Sequence, residues 1–92
     1  MRGLILKHEH AQAIADGTKT VEYRNFSTNK LNEKIAIVSG DKIYAYVKIT
    51  KVTEPSGRDD YRYAWALDVL KRFPGTKPRC PRKKGQQIWI VM

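Results

Sequence analysis

Gly17-Thr18-Lys19-Thr20-Val21-Glu22-Tyr23-Arg24 is the stretch on which the fold turns, and it carries an amine, a carboxylate and a guanidinium within one short segment. Just upstream, Glu9 to Asp16 sets Ala11, Ile14 and Ala15 at helical spacing, which predicts a short amphipathic helix. Gly17 stands where a helix C-terminus needs a left-handed residue, so the helix is expected to stop there. Beyond the cap, Thr20, Val21 and Tyr23 favour extended backbone. In that strand Val21 and Tyr23 face one way, toward the core, while Thr20, Glu22 and Arg24 share the opposite, polar face. Glu22 and Arg24 are two residues apart, about 6.6 Å of strand rise, so they are placed to pair.

Working outward, Gly3 to Lys7 reads as a short apolar strand ahead of the helix, and Asn25 to Lys34 as a polar loop behind the second strand. Ile35 to Ser39 and Lys42 to Thr53 are strands joined through Gly40-Asp41, a pair suited to a tight hairpin. In the longer of these, Ile43, Ala45, Val47 and Ile49 form an apolar face, and Tyr44, Tyr46, Lys48 and Thr50 form the opposite one. The second face mixes aromatic and basic groups that suit nucleic acid, although tyrosines are also ordinary occupants of an outer strand face. Glu54 to Asp60 is a loop. Tyr61 to Phe73 has a helical alternative, but the alternation of Tyr61, Tyr63, Trp65, Leu67 and Val69 with Arg62, Ala64, Ala66 and Asp68 predicts a strand. Prolines 74, 78 and 81 are expected to keep the next segment irregular, and Gln86 to Met92 closes the chain as a strand. About six short strands and one helix make a mainly β, α+β domain: a small, mostly antiparallel barrel with a helix on its side.

Ninety-two residues make one domain, 1–92, with a modest core. No apolar run is long enough to span a bilayer, and the first residues lack the pattern of a secretion signal, so a soluble cytoplasmic protein without a membrane partner is expected. A single cysteine, Cys80, excludes an internal disulfide framework. Its cationic neighbours would favour a thiolate, but an isolated cysteine in a basic loop is ordinarily incidental. His8 and His10, two apart on a helix, point to different faces and no carboxylate or thiol cluster joins them, so neither a metal nor a cofactor is expected.

The formal net charge is +9, and it is concentrated. Residues 71 to 84 hold Lys71, Arg72, Lys77, Arg79, Arg82, Lys83 and Lys84 and no acidic residue. A clustered excess of this kind points to a polyanionic partner, RNA or DNA first among them, with Lys77, Arg79, Arg82, Lys83 and Lys84 on its phosphates. The alternative is a solvated loop that serves solubility.

The ordered set Leu4-Ile5-Leu6-Lys7, Gly17-x-Lys19-x-x-Glu22-x-Arg24, Gly40-Asp41-Lys42-Ile43-Tyr44-Ala45-Tyr46-Val47, Tyr63-Ala64-Trp65-x-Leu67 and Gly85-Gln86-Gln87-Ile88-Trp89 resembles the ASCH domain, a family with a PUA-like barrel. The resemblance covers essentially the whole chain. It implies RNA or nucleotide binding, with the Gly-x-Lys-x-x-Glu-x-Arg segment lining a cleft in the barrel. Some small members are amidohydrolases that deacetylate N(4)-acetylcytidine through a lysine of this segment, a threonine three residues later and a more distal glutamate; other members have been described as ribonucleases. Lys19 matches that lysine, whereas Glu22 occupies the threonine position and the distal glutamate has no assigned counterpart.

Lys19 and Glu22 are therefore the candidate catalytic residues, and Lys19, Glu22, Arg24, Tyr44 and Tyr46 join the basic segment as candidate ligand-binding residues. A Glu22–Arg24 pair suits the edge of a nucleobase, the carboxylate accepting from an exocyclic amine and the guanidinium donating to a carbonyl. The same pair also fits a purely structural staple between loop and barrel. A binding module is the leading expectation and a hydrolase the alternative. A monomer is expected.

Overall fold

A computed structural model of the chain describes residues 1–54, 63–78 and 88–91. Its elements are β1 (Arg2–Ile5), α1 (His8–Asp16), β2 (Val21–Arg24), β3 (Ile35–Ser39), β4 (Lys42–Thr53), β5 (Tyr63–Pro78) and β6 (Trp89–Val91). The strands form one six-stranded sheet in the order β2-β5-β4-β3-β1-β6. β1 and β3 run parallel, and the remaining neighbours are antiparallel. The sheet curls into a half-barrel around α1, the mainly β, α+β architecture expected from the periodicity. Among the described residues no helix is long and apolar enough to cross a membrane.

The curl is built from apolar surface on both sides of the middle strands. Ile35, Ala36, Ile37 and Val38 of β3 are all buried, which is how a short unbroken apolar run reads when both faces are covered. Ile35 and Ile37 pack with Leu4, Ile14, Ala45, Val47, Ile49, Trp65 and Leu67 in the main core beneath α1. Ala36 and Val38 point the other way and join Ile43 and Ile90 in a second, smaller cluster.

Three irregularities interrupt the long β4–β5 ladder, between Ile43 and Ala45, Tyr46 and Val47, and Ile49 and Lys51. Bulges of this kind bend a strand and increase its twist. One of them explains how β5 continues to Pro78, past the Pro74 expected to end it. Ile43 pairs with Lys77 and Ala45 with Arg72, so the four residues from Phe73 to Thr76 face Tyr44 alone. Pro74 sits inside that bulge, where its missing N–H costs no ladder hydrogen bond, and Thr76 takes a φ of 62°.

The same bulge relocates Tyr44. β3 also shifts register opposite this residue, with Ile37 on Ala45 and Val38 on Ile43. Tyr44 and Ala45 consequently both enter the main core, and strict alternation along β4 fails. Tyr44 is 4% exposed, and its hydroxyl lies 2.7 Å from His8 Nδ1. The expected outer face shared by Tyr44 and Tyr46 therefore does not exist; Tyr46 alone remains outside.

Two glycines perform the conformational work foreseen for them. Gly40 opens the two-residue β3–β4 turn at φ 61°, the positive first position of a type II′ hairpin. Gly17 caps α1 at φ 83°. Immediately after the cap, the N–H groups of Thr18 and Lys19 both donate to Ala13 O, at 3.0 and 3.2 Å. The helix end thus fixes where the Lys19 side chain starts.

Candidate ligand cleft

β2 leaves this cap and pairs with β5, placing Glu22 opposite Trp65. Trp65 is fully buried, so its partner's side chain is drawn inward with it. This reverses the expected orientation of β2. The polar face, Glu22 and Arg24, is turned into the half-barrel, and Glu22 is 5% exposed.

A buried carboxylate requires compensating charge. Glu22 has two sources of it, one for each oxygen. Lys19 Nζ lies 2.9 Å from Oε1 and Arg24 Nε 2.8 Å from Oε2. The second contact is an ion pair without a directed hydrogen bond, because the buried Arg24 Nε–H has no acceptor along its axis. Arg24 also reaches across with Nη2 donating to Ile5 O at 3.3 Å. Ile5 is at the end of β1, close to the opposite edge of the sheet, so Arg24 bridges the open side of the half-barrel.

Lys19 has a further partner that sequence spacing did not suggest. Its ammonium lies 2.9 Å from His10 Nδ1. An ammonium only donates, so His10 accepts through Nδ1 and as a neutral ring carries its proton on Nε2. His10, Lys19, Glu22 and Arg24 form one continuous chain of polar contacts, and with two cations against one carboxylate its fixed charge is positive.

These four residues help line a cleft of about 530 Å³, within the range of small-molecule and cofactor sites. The lining also includes apolar side chains, Ile5, Leu6, Phe26 and Ile88, together with Lys7, Tyr23 and Asn25. Phe26 is held at the rim by Trp65, whose Nε1–H donates to Phe26 O at 3.1 Å and whose ring meets Phe26 edge-on at 5.5 Å between centroids. The cleft therefore combines charge and hydrogen-bonding groups with an aromatic ring and aliphatic surface. His10 and these apolar residues were not among the candidates read from sequence. Phe26 lies only two residues beyond β2, whereas the tertiary approach of α1, β1 and Ile88 brings the others to it.

The remaining candidates lie elsewhere. Tyr46 and Lys77 are on the outer face, with Lys77 Nζ 3.1 Å from the Tyr46 hydroxyl. Lys34 Nζ stands 4.3 Å from the Tyr46 ring centroid, and Phe73 meets that ring edge-on at 5.0 Å. Lys71 Nζ lies 5.4 Å from the Phe73 centroid. Tyr44 is in the core, as described above. Arg79, Arg82, Lys83 and Lys84 lie outside the described residues, as does Cys80. His8 and His10 diverge to Tyr44 and Lys19 respectively. Among the described residues no group of three or more His, Cys, Asp or Glu side chains is placed to hold a metal ion.

Comparison with known proteins agrees with this architecture. A serine-to-alanine variant of ZmASCH from Zymomonas mobilis, solved by crystallography, superposes with a TM-score of 0.59 over 99% of this chain and 87% of that one, at 16% sequence identity. The likeness is one of fold. A search of curated protein sequences gave no match. The family model for the ASCH domain matches residues 4–79, a span containing the helix cap, the charged strand and the long β4–β5 pair, and the chain belongs to the ASCH domain family.

Proposed function

We propose that this ASCH domain binds RNA or a nucleotide, holding a base or nucleotide unit in the cleft around Lys19, Glu22 and Arg24 while the basic segment contacts the backbone. The observation that carries this reading is the buried Glu22 held between two cations in a cleft that also has apolar lining residues. Such a site combines fixed donors for a carbonyl or phosphate with a surface on which a base can lie. Glu22 has spare lone pairs beyond its two cation contacts, so it retains the capacity to accept from an amine. The outer lysines, together with Arg79, Arg82, Lys83 and Lys84, supply the sequence-independent part of the affinity.

The reading predicts that affinity for single-stranded RNA falls steeply with salt, because each neutralised phosphate contributes a slope of about 0.7 in log–log terms. Reversing three of the basic-segment cations flattens that slope. No measurable binding at about 50 mM salt, where contacts of this type are strong, contradicts the proposal.

A hydrolase acting on RNA or on an acylated nucleoside is the second reading, and the His10–Lys19 contact favours it, since it links an imidazole to the family's lysine inside the cleft. Lys19 is, however, turned as a donor to both its neighbours, whereas a general base needs a free lone pair. Incubation with N(4)-acetylcytidine and with RNA, beside a Lys19→Ala control, separates the two. Turnover abolished by the substitution supports the hydrolase, turnover that survives it discards the lysine mechanism, and its absence leaves recognition as the function.

A further inference from the structure

The cleft has a neighbour lined by residues adjacent in sequence to its own. A shallower concavity of about 410 Å³ is lined by Ser27, Thr28, Asn29, Lys30 and Trp89. The cleft itself includes Phe26 and Ile88. The two spaces are thus lined by sequence neighbours at two places, Phe26-Ser27 and Ile88-Trp89. Each is a pair of consecutive residues, with Cα atoms about 3.8 Å apart. The two concavities are therefore close enough for successive nucleotides of one strand to be considered for them.

The second concavity has chemistry suited to a nucleotide. Trp89 stacks nearly parallel on the buried Trp65, at 6.1 Å between centroids and 12° between planes, so its ring is braced from within. Lys30 Nζ lies 5.1 Å from the Trp89 centroid. The Ser27 and Thr28 hydroxyls and the Asn29 amide supply both donors and acceptors, and the loop is shaped locally by the Lys30 N–H donating to Thr28 Oγ1 at 3.1 Å. We infer that this concavity is a subsite for the nucleotide that follows or precedes the one in the cleft on a single RNA strand, its base against Trp89 and its phosphate on Lys30. The inference rests on the cleft being a nucleotide site.

Relative strengths decide whether a base can take the place of Lys30 over the ring. An exposed lysine–aromatic contact is worth about two- to five-fold in an equilibrium. A base stacked on an aromatic side chain is worth about five- to 150-fold in affinity. The base wins, and the displaced ammonium, on a long flexible stem, is free to turn to a phosphate.

The test uses the full chain at about 50 mM salt, where phosphate contacts are strong, with the four ribonucleoside 5′-monophosphates and the corresponding 5′-phosphorylated homodinucleotides, measured by calorimetry. The tightest dinucleotide is expected to bind at least about five-fold better than its mononucleotide, the lower end of a single stacking contact. Trp89→Leu removes that gain, so that dinucleotide and mononucleotide bind alike. Because Trp89 braces Trp65 and its replacement can unfold the chain, Lys30→Glu serves as the second variant and should also remove the gain. Equal affinities for mono- and dinucleotide, or a gain that survives both substitutions, overturn the subsite alone. Failure of every mononucleotide and dinucleotide to bind overturns the cleft reading and the subsite together.

Discussion

The cleft and the outer face of the sheet both carry cations and aromatic rings, yet they arrange them in opposite ways. In the cleft, Lys19 and Arg24 are each within 2.9 Å of a carboxylate that is almost wholly buried. On the outer face, Lys34, Lys71 and Lys77 surround Tyr46 and Phe73 and, among the described residues, none of them pairs with a carboxylate. Paired and buried charges are held in one geometry and are little affected by salt; unpaired exposed charges are mobile and strongly screened. The first arrangement suits recognition of a particular shape, the second attraction to any polyanion.

Removing the carboxylate is the most severe way to break this contrast. Glu22→Gln keeps the shape of the side chain but leaves Lys19 and Arg24 close together in the cleft without a counter-charge. Loss of one partner from a buried ion pair costs about 3–5 kcal/mol, and the low end applies because both cations retain some access to water. Chemical denaturation should show that loss, whereas a change below about 1 kcal/mol would mean the triad contributes little to holding β2 in place.

Removing one arm should do less. Lys19→Met leaves Glu22 its contact with Arg24, and a hydrogen bond to a charged group contributes about 1.5–3 kcal/mol. The same variant frees His10 Nδ1, which its imidazole NMR signals would report as a change in tautomer balance; unaltered signals would argue against the Lys19–His10 contact in solution.

Gly17→Ala tests the joint on which the cleft depends. A Cβ at this position must adopt φ 83° and would lie 3.4 Å from Arg72 Nε, so left-handed strain of roughly 1–2 kcal/mol is expected, with little added by the flexible guanidinium. If the cap positions Lys19 as the Ala13 hydrogen bonds indicate, nucleotide affinity should fall along with stability.

The smallest effect on stability belongs to the outer face. Replacing Lys34, Lys71 and Lys77 together by Gln should change the unfolding free energy by less than about 1 kcal/mol per residue replaced, since exposed cation–aromatic contacts and the exposed Lys77–Tyr46 hydrogen bond are lost. The salt slope of single-stranded RNA binding should nevertheless drop by about 2, at roughly 0.7 per phosphate contact. A marked loss of stability, or an unchanged slope, would erase the distinction between the two regions.

How much of this was legible beforehand follows the range of the interactions involved. The helix, its glycine cap and the strand after it are local signals, and they were readable between Glu9 and Arg24. So was the β5 alternation of Tyr63, Trp65, Leu67 and Val69, whose side chains all meet the main core. Three features were not readable, each for a non-local reason. Polar residues on a strand ordinarily face water, but Glu22 and Arg24 neutralise one another within the half-barrel, so the polar face of β2 turns inward. Tyr44 left its alternation because both flanking strands shift register beside it. Pro74 failed to end β5 because a bulge absorbed it. The role of His10 was hidden for a simpler reason: its partner, Lys19, is brought to it by the turn of chain around the helix cap, and no spacing rule for metal ligands describes that contact.

The most direct test of the central claim is a backbone amide NMR titration of the full chain with the tightest-binding ribonucleoside 5′-monophosphate. The account predicts shift changes concentrated at Lys19 to Phe26 and at Ile5 to Lys7, with the β4 and β5 amides around Tyr46 and Phe73 nearly still. Changes confined to that outer face, with the Lys19–Phe26 amides unmoved at saturation, would contradict it.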